Sequence, residues 1–233
     1  MNQQVDEKYY YINQKSELLE RFDEDGERWR HILCARYGSG FAEAVLKESR
    51  EEFETLIPQI PYIGGDESWA GSLVESVRCL AFYKAMKKRG KAAEEAGKLL
   101  YDAIMLSMNE SQASVSPNDS LTPEQRMERR KRRAEMSQKH WSAEGYVWMF
   151  VAGDGNEFDY GYDFVECAAQ KFYHAQGTDE FLPFYCFLDY AYSKISGLGL
   201  ARTMTLAEGH DKCDHHFKNG RRTELEWPPP FLK

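Results

Sequence analysis

The stretch YVWMFVAGDGNEFDYGY, residues 146–162, decides the fold prediction. The apolar run from Tyr146 to Val151 is followed by Gly153-Asp154-Gly155-Asn156, and residues 158–162 then alternate between polar and aromatic side chains. Two β-type segments joined by a Gly/Asp/Asn turn predict a β-hairpin. Apolar residues before this point recur every three or four positions, so the chain changes here from helical to strand periodicity.

The region after the hairpin completes a β-β-α-α-β-β order. Residues 163–176 and 179–195 have helical patterns, with Gly177 between them as a C-cap. Residues 198–206 and 213–217 have strand patterns around a turn at Glu208-Gly209-His210-Asp211. This order predicts an antiparallel sheet of roughly four strands that carries the helices on one face.

The chain as a whole is predicted to be an α+β protein, in which an N-terminal helical bundle packs with this sheet. Four helical segments precede the hairpin, at residues 15–37, 40–56, 68–89 and 91–108. We expect one domain over residues 1–233, divided into a helical half (1–108), a surface loop (109–122), a basic helix (123–140), an α+β half (141–218) and a tail (219–233).

Composition narrows the class of protein. A formal charge of −8 argues against a basic nucleic-acid scaffold, and no apolar run is long enough to span a membrane. In the basic run at residues 126–133, the interspersed glutamate favours a solvated, ion-paired helix. Five scattered cysteines without a CxxC pair indicate reduced thiols. We therefore expect a cytoplasmic protein with a small-molecule substrate and neither nucleic acid nor membrane as partner; the oligomeric state stays open.

One polar face lies on an otherwise apolar helix. Cys186, Asp189 and Ser193 fall at i, i+3 and i+7 in the 179–195 segment. A carboxylate in such a helix needs a partner or a wet cavity. The face is therefore either the wall of a pocket or the site of a structural carboxylate bonded to an arginine or to backbone, and both interpretations remain open.

A second thiol, Cys167, follows Glu166 directly after the first hairpin. A helix N-terminus there would lower the pKa of the thiol, whereas the neighbouring carboxylate would oppose that shift. Cys167 is either a nucleophile or a core residue.

The second hairpin is the densest chemical region of the sequence. Alternation in a strand places Thr203 and Thr205 on one face and Arg202 on the other, and it separates Cys213 from Asp214. In the same region His210, Cys213 and His215 are zinc-type donors, but their spacing matches no standard zinc pattern. We therefore interpret this segment as a carboxylate-rich hairpin turn and expect no cofactor. A divalent metal site is the less favoured alternative.

Taken together, these motifs resemble the L-2-amino-thiazoline-4-carboxylic acid hydrolase family over residues 137–218. The residues that carry the resemblance are Ser137-Gln138, Gly153-Asp154-Gly155, Glu166-Cys167, Leu182-Pro183 with Cys186 and Asp189, Arg202-Thr203-x-Thr205, and Gly209 with Cys213-Asp214 and Phe217. The family's usual Cys-Asp-Phe-Arg-Phe ending is here Cys213-Asp214-His215-His216-Phe217.

The resemblance implies a hydrolase that opens a small cyclic C=N substrate, of thiazoline or amidine type, bearing a carboxylate. It points to Cys167, Cys186, Asp189, Cys213 and Asp214 as catalytic candidates, and to Glu166, Arg202, Thr203, Thr205 and His210 as substrate-binding candidates. Water or one thiolate would attack, with Asp189 or Asp214 as base and Arg202 on the substrate carboxylate. The alternatives are an isomerase or cyclase of secondary metabolism acting on a larger aromatic substrate in the same pocket, and a non-catalytic ligand-binding or scaffold protein.

Overall fold

The computed structural model describes residues 7–64, 67–107 and 122–232. It confirms an α+β architecture with helices before and between the strands of an antiparallel sheet. The helices are α1 (Tyr10–Asn13), α2 (Lys15–Tyr37), α3 (Ser39–Leu56), α4 (Glu67–Lys88), α5 (Ala93–Ser107), α6 (Pro123–Ser137), α7 (Ala168–Ala175) and α8 (Leu182–Ser196). No helix among these residues is long and apolar enough to cross a membrane. Of the loop predicted at residues 109–122, all but Thr122 lies outside the described residues.

Four antiparallel strands form the sheet, in the spatial order β1-β2-β4-β3. Their bounds are β1 (Val147–Ala152), β2 (Tyr160–Glu166), β3 (Leu200–Ala201) and β4 (Cys213–Phe217). Strand β2 is central, because Phe164 pairs with Trp148 of β1 on one side and with Cys213 of β4 on the other. Both predicted hairpins therefore contribute to one sheet.

Two predicted boundaries in this half are wrong. The helix predicted from Asp163 starts only at Ala168, because Asp163 to Glu166 continue β2 and pair with neighbouring strands. Here strand pairing on both sides overrides the local helical pattern. The strand predicted over residues 198–206 is only Leu200–Ala201, because the next backbone amides donate to a side chain instead of to a partner strand.

An aromatic face of the sheet packs against the helices. Tyr160 stacks on Phe217, and Trp148 lies 4.6 Å from Tyr162, centroid to centroid. Helix α6 crosses this region with Arg130, whose guanidinium lies 3.9 Å from the Tyr160 ring centroid and donates to its hydroxyl. Arginines of the basic run thus attach α6 to aromatic rings, in addition to the predicted ion pairing of Arg132 with Glu128.

A capping box begins α6. The Thr122 hydroxyl accepts from the Gln125 amide, and the Gln125 side chain accepts from the Thr122 amide. At the other end of the chain, Trp227 of the tail packs near Tyr101, Phe184 and Phe187. The tail therefore docks on its own chain.

Helices α5 and α8 approach closely at Gly97. A Cβ placed on Gly97 would lie 2.6 Å from the Cβ of Phe184, so only glycine fits without a shift of one helix. We expect Gly97→Ala to lower the free energy of unfolding by about 1 to 3 kcal/mol, although alanine is the better helix former by about 1 kcal/mol. Denaturant unfolding measures the change.

Gly71→Ala is the matched control for this contact. Gly71 is an exposed glycine within α4, and its added Cβ would meet nothing within 4 Å. The same substitution should there stabilise the protein by up to about 1 kcal/mol. Equal effects of the two variants would contradict the close-approach argument.

Candidate active site

A cavity of about 190 Å³ lies where α8 and the sheet meet α4. Its lining combines thiols, ionisable groups and aromatic rings. The lining residues are Trp69, Ser72, Glu75, Tyr146, Phe164, Cys167, Ala169, Tyr185, Cys186, Leu188, Asp189, Tyr192, Arg202, Cys213 and His215. Five of the residues singled out from the sequence, namely Cys167, Cys186, Asp189, Arg202 and Cys213, are therefore brought together in one cavity.

Local structure explains how these side chains converge. Cys186 and Asp189 lie one turn apart on α8, and Cys213 and His215 share one face of β4. Cys167 is the residue between β2 and α7, with an extended backbone at φ −128° and ψ 116°. Helical spacing thus aligns Cys186 with Asp189, and strand alternation aligns Cys213 with His215. The antiparallel pairing of β2 with β4 sets Phe164, three residues before Cys167, opposite Cys213. Ser193, the third residue of the predicted polar stripe, lies outside the cavity lining and bonds to Thr223.

The polar centre of the cavity consists of Arg202, Asp189 and His215. Arg202 Nη1 donates to Asp189 Oδ2 at 2.9 Å, and its Nη2 donates to the Cys186 carbonyl at 3.0 Å. His215 Nε2 lies 3.3 Å from the same Asp189 oxygen and 3.2 Å from Arg202 Nη1. Only 5% of the Arg202 side chain is exposed, so its charge is compensated by Asp189 inside the protein.

Asp189 is nevertheless open to a ligand. Although it lies on an internal helix, 47% of its side-chain surface is accessible, and the residue lines the cavity. Among the described residues, the side chains that hold this carboxylate do so through Oδ2. Oδ1 is therefore the oxygen available to a water or a substrate.

Electrostatics keep this carboxylate charged. Burial acts to raise the pKa of Asp189, but the hydrogen bond from His215 and the charge of Arg202 outweigh it and lower that pKa. Burial likewise disfavours the charged form of Arg202, but the Asp189 carboxylate holds the pKa of the guanidinium above its ordinary value. The site thus contains an ionised carboxylate at neutral pH.

The hydrogen-bond partner of His215 Nε2 depends on whether that nitrogen carries a hydrogen. Arginine can only donate and a carboxylate can only accept, so Nε2–H donates to Asp189, whereas a bare Nε2 accepts from Arg202. The second ring nitrogen, Nδ1, is buried without a hydrogen-bond partner among the described residues. When Nε2–H donates to Asp189, the neutral ring carries no hydrogen on Nδ1. Burial of this acceptor without a partner costs less free energy than burial of an N–H donor without a partner.

The three cavity thiols are protonated at neutral pH. Burial raises the pKa of Cys167 to about 12, despite the opposing backbone amides at the start of α7. Burial also raises the pKa of Cys186 well above its usual value and that of Cys213 to a smaller extent. Cys213 Sγ accepts a hydrogen bond from the Leu206 amide. The helix N-terminus at α7 therefore does not activate Cys167, contrary to the effect considered from the sequence.

Asp214, Thr203 and Thr205 lie outside the cavity lining and support it structurally. The buried Asp214 carboxylate accepts from the amides of Thr203 and Met204 and, at 2.6 Å, from the Thr203 hydroxyl. Thr205 caps a short 3₁₀ helix through the Glu208 amide. Their predicted shared strand face is absent because the extended segment ends at Ala201. The side-chain groups of Asp214, Thr203 and Thr205, which the sequence suggested as a base and as substrate ligands, are thus engaged in hydrogen bonds within the protein.

Glu166 and His210 also lie outside the cavity lining. Glu166 ends β2 and forms an ion pair with Lys171. His210 is exposed, whereas Cys213 and His215 line the cavity. Among residues 7–64, 67–107 and 122–232, no three His, Cys, Asp or Glu side chains are grouped to hold a metal ion. The zinc-type set of His210, Cys213 and His215 is therefore not assembled.

Sequence reasoning missed the contribution of the helical half. Trp69 and Glu75 of α4 line the cavity, and the Tyr192 hydroxyl of α8 donates to Glu75 Oε1. Tyr146 and Tyr185 complete the aromatic wall. Helical periodicity indicates that α4 has an apolar stripe, but it does not indicate which residues of α4 contact α8. The local signal for Glu75 was a single carboxylate next to that stripe.

Comparison with known proteins identifies a family for most of the chain. The family model of L-2-amino-thiazoline-4-carboxylic acid hydrolase matches residues 72–217, which is more than half of the chain and includes every cavity residue except Trp69. No curated protein and no solved structure matches. The family points to a hydrolase-like role in general. The chain belongs to the L-2-amino-thiazoline-4-carboxylic acid hydrolase family.

Proposed function

We propose that the protein is a hydrolase that opens a small cyclic C=N substrate, of thiazoline or amidine type, bearing a carboxylate. The observation that carries the proposal is the ionised Asp189, which is held by Arg202 and His215 yet is accessible in a cavity among neutral thiols. Family membership supports the hydrolytic class. The substrate itself is part of the proposal.

The reaction begins with water and not with a thiolate. Asp189 takes a proton from a water molecule, whose oxygen attacks the ring carbon between sulfur and nitrogen. The ring nitrogen gains a proton. The tetrahedral carbon then expels either the sulfur or the nitrogen, which takes up a proton as it leaves, while the hydroxyl on that carbon gives up its proton and becomes the carbonyl of the product. At neutral pH the raised pKa values of Cys167, Cys186 and Cys213 leave too little thiolate for direct attack.

Arg202 acts mainly through Asp189 in this scheme. Two of its donors are already directed to Asp189 and to the Cys186 carbonyl, and its plane lies over the Tyr190 ring. It therefore fixes the rotamer and the charge of the base. Among the described residues that line the cavity, Arg202 is also the only lysine or arginine, so the remaining donors of its guanidinium would bind a substrate carboxylate.

The test is direct turnover of 2-amino-thiazoline-4-carboxylic acid by the full chain. The expected product has gained one water by mass, and it carries a free thiol if the C–S bond breaks or a new amine if the ring C–N bond breaks. A thiol reagent and an amine reagent distinguish the two. Absence of turnover with this acid and with the analogous oxazoline and cyclic amidine acids would overturn the proposal.

A larger aromatic substrate for an isomerase or cyclase is the second candidate. The observation that favours it is the wall of rings opposite the polar centre, formed by Trp69, Tyr146, Phe164, Tyr185 and Tyr192. Trp69 fluorescence should then be quenched by aromatic ligands and not by the small thiazoline acid. The reverse preference supports hydrolysis.

A further inference from the structure

A second carboxylate, Glu75, faces the same cavity from a different helix. Glu75 lies on α4, and Asp189 lies on α8. The Tyr192 hydroxyl, one helical turn after Asp189, donates to Glu75 Oε1. The cavity is thus bounded by two carboxyl groups whose supporting contacts differ: a guanidinium and an imidazole for Asp189, and a phenol for Glu75.

The pKa values of the two groups are shifted in opposite directions for this reason. Burial raises the pKa of Glu75, the charges of Asp25 and Asp189 act in the same direction, and the Tyr192 hydrogen bond and Arg78 oppose them. Arg78 is itself paired with Asp25, 3.2 Å from Nη1 to Oδ2. The other titratable or charged groups around Glu75 are Arg28 of α2, Cys79 of α4, and Tyr146, Cys167, Tyr185, Cys186, Arg202, Cys213 and His215 along the cavity.

A pair of carboxyl groups with opposite environments is the usual arrangement for an acid and a base in one site. Hydrolysis of a C=N bond needs both, because water must lose a proton while nitrogen gains one. Resting on the function proposed above, we infer that Glu75 is the proton donor of this reaction and Asp189 is the base. Glu75 gives its carboxyl proton to the ring nitrogen as Asp189 receives one from water.

Tyr192 stabilises the state that follows. Its hydroxyl donates to Glu75, so it favours the carboxylate left after the proton has moved. Glu75, Leu188 and Tyr192 also border a second cavity of about 90 Å³, which has room for water. Asp189 releases its proton to the leaving group, and the proton that the hydroxyl of the tetrahedral carbon loses on becoming a carbonyl is passed through this water to Glu75, which is thereby restored after each turnover.

Glu75→Gln tests the inference with two substrates. One is the neutral thiazoline acid; the other is its N-alkylated cation, in which the nitrogen is already positively charged and needs no proton for water to add. We expect Glu75→Gln to lower kcat about 10²- to 10⁴-fold for the neutral ring but only slightly for the cation. The alkaline fall in kcat of the unmodified protein, set by loss of the Glu75 proton, should disappear in the variant.

Controls separate this inference from the proposed function. Asp189→Asn should lose activity on both substrates. Glu48→Gln, which removes the ion pair of Glu48 on α3 with Arg89, should change activity on neither. Equal losses of Glu75→Gln on the two rings, or no loss on either, would overturn the proton-donor role while hydrolysis stands. An unmodified protein that opens neither ring would overturn the proposed function itself. Thermal unfolding of each variant identifies a folding defect, and in that case Glu75→Asp supplies the same comparison.

Discussion

Asp189→Asn is expected to lower turnover of a cyclic C=N substrate by about 10²- to 10⁴-fold, whether the ring nitrogen is neutral or already cationic. Asparagine keeps the shape of the side chain but cannot accept a proton from water at Oδ1. Steady-state kinetics with the thiazoline acid measure the loss. It should fall on kcat, because the substitution removes the base and leaves the aromatic wall unchanged.

The pH dependence of activity of the unmodified protein provides a second test of Asp189 as the base. Since His215 and Arg202 lower the pKa of Asp189, the base stays ionised as the solution is acidified through the ordinary range of an aspartate. Activity should therefore fall only at pH values below about 3.9, the ordinary pKa of that side chain, provided the fold survives. Unchanged kcat in Asp189→Asn would exclude Asp189 as the base.

Asp214→Ala is expected to lower the free energy of unfolding by about 3 kcal/mol. It leaves two backbone amides and a hydroxyl in a buried position without their acceptor, because only 3% of Asp214 is exposed. Denaturant unfolding at neutral pH measures the loss. Asp211→Ala, in the exposed turn of the same hairpin, is the matched control and should change stability by less than about 0.5 kcal/mol.

The loss should also depend on pH. Burial acts to raise the pKa of Asp214, but its hydrogen bonds from Thr203 and Met204 outweigh burial and lower that pKa. A group whose pKa is lower in the folded state contributes stability above its unfolded value of about 3.9, and that contribution disappears as the pH falls through the folded value. The difference between Asp214→Ala and the unmodified protein should thus shrink in acid. A constant difference would contradict the hydrogen-bond account.

Much of the fold could be predicted because it follows from local periodicity. Helix α2 has the predicted bounds, and α3 differs by one residue, since their apolar stripes and the glycine break between them are local features. The errors came where tertiary contacts prevailed. Asp163 continues a strand because β2 has partners on both sides, and Thr203 leaves the strand because Asp214 takes its amide.

The candidate site divides in the same way. Cys186 and Asp189 could be placed together from helical spacing, and Cys213 from strand alternation, but their catalytic roles remain predictions. Glu75 could not be placed, because more than one hundred residues separate it from Asp189 and no pattern records which faces of α4 and α8 meet. Arg202 was assigned to a substrate carboxylate; its pairing with Asp189 instead follows from the cost of burying either charge alone.

The three protonated thiols of the cavity also determine how the protein tolerates oxidants. Peroxides react with the thiolate form of cysteine, and the first product, a sulfenic acid, forms slowly where that form is scarce. Burial keeps Cys167, Cys186 and Cys213 in the unreactive form. Under the proposed function, ring opening by C–S cleavage releases a product thiol in this cavity, and cysteines that hold little thiolate would be slow to be oxidised and slow to attack the disulfide form of that product.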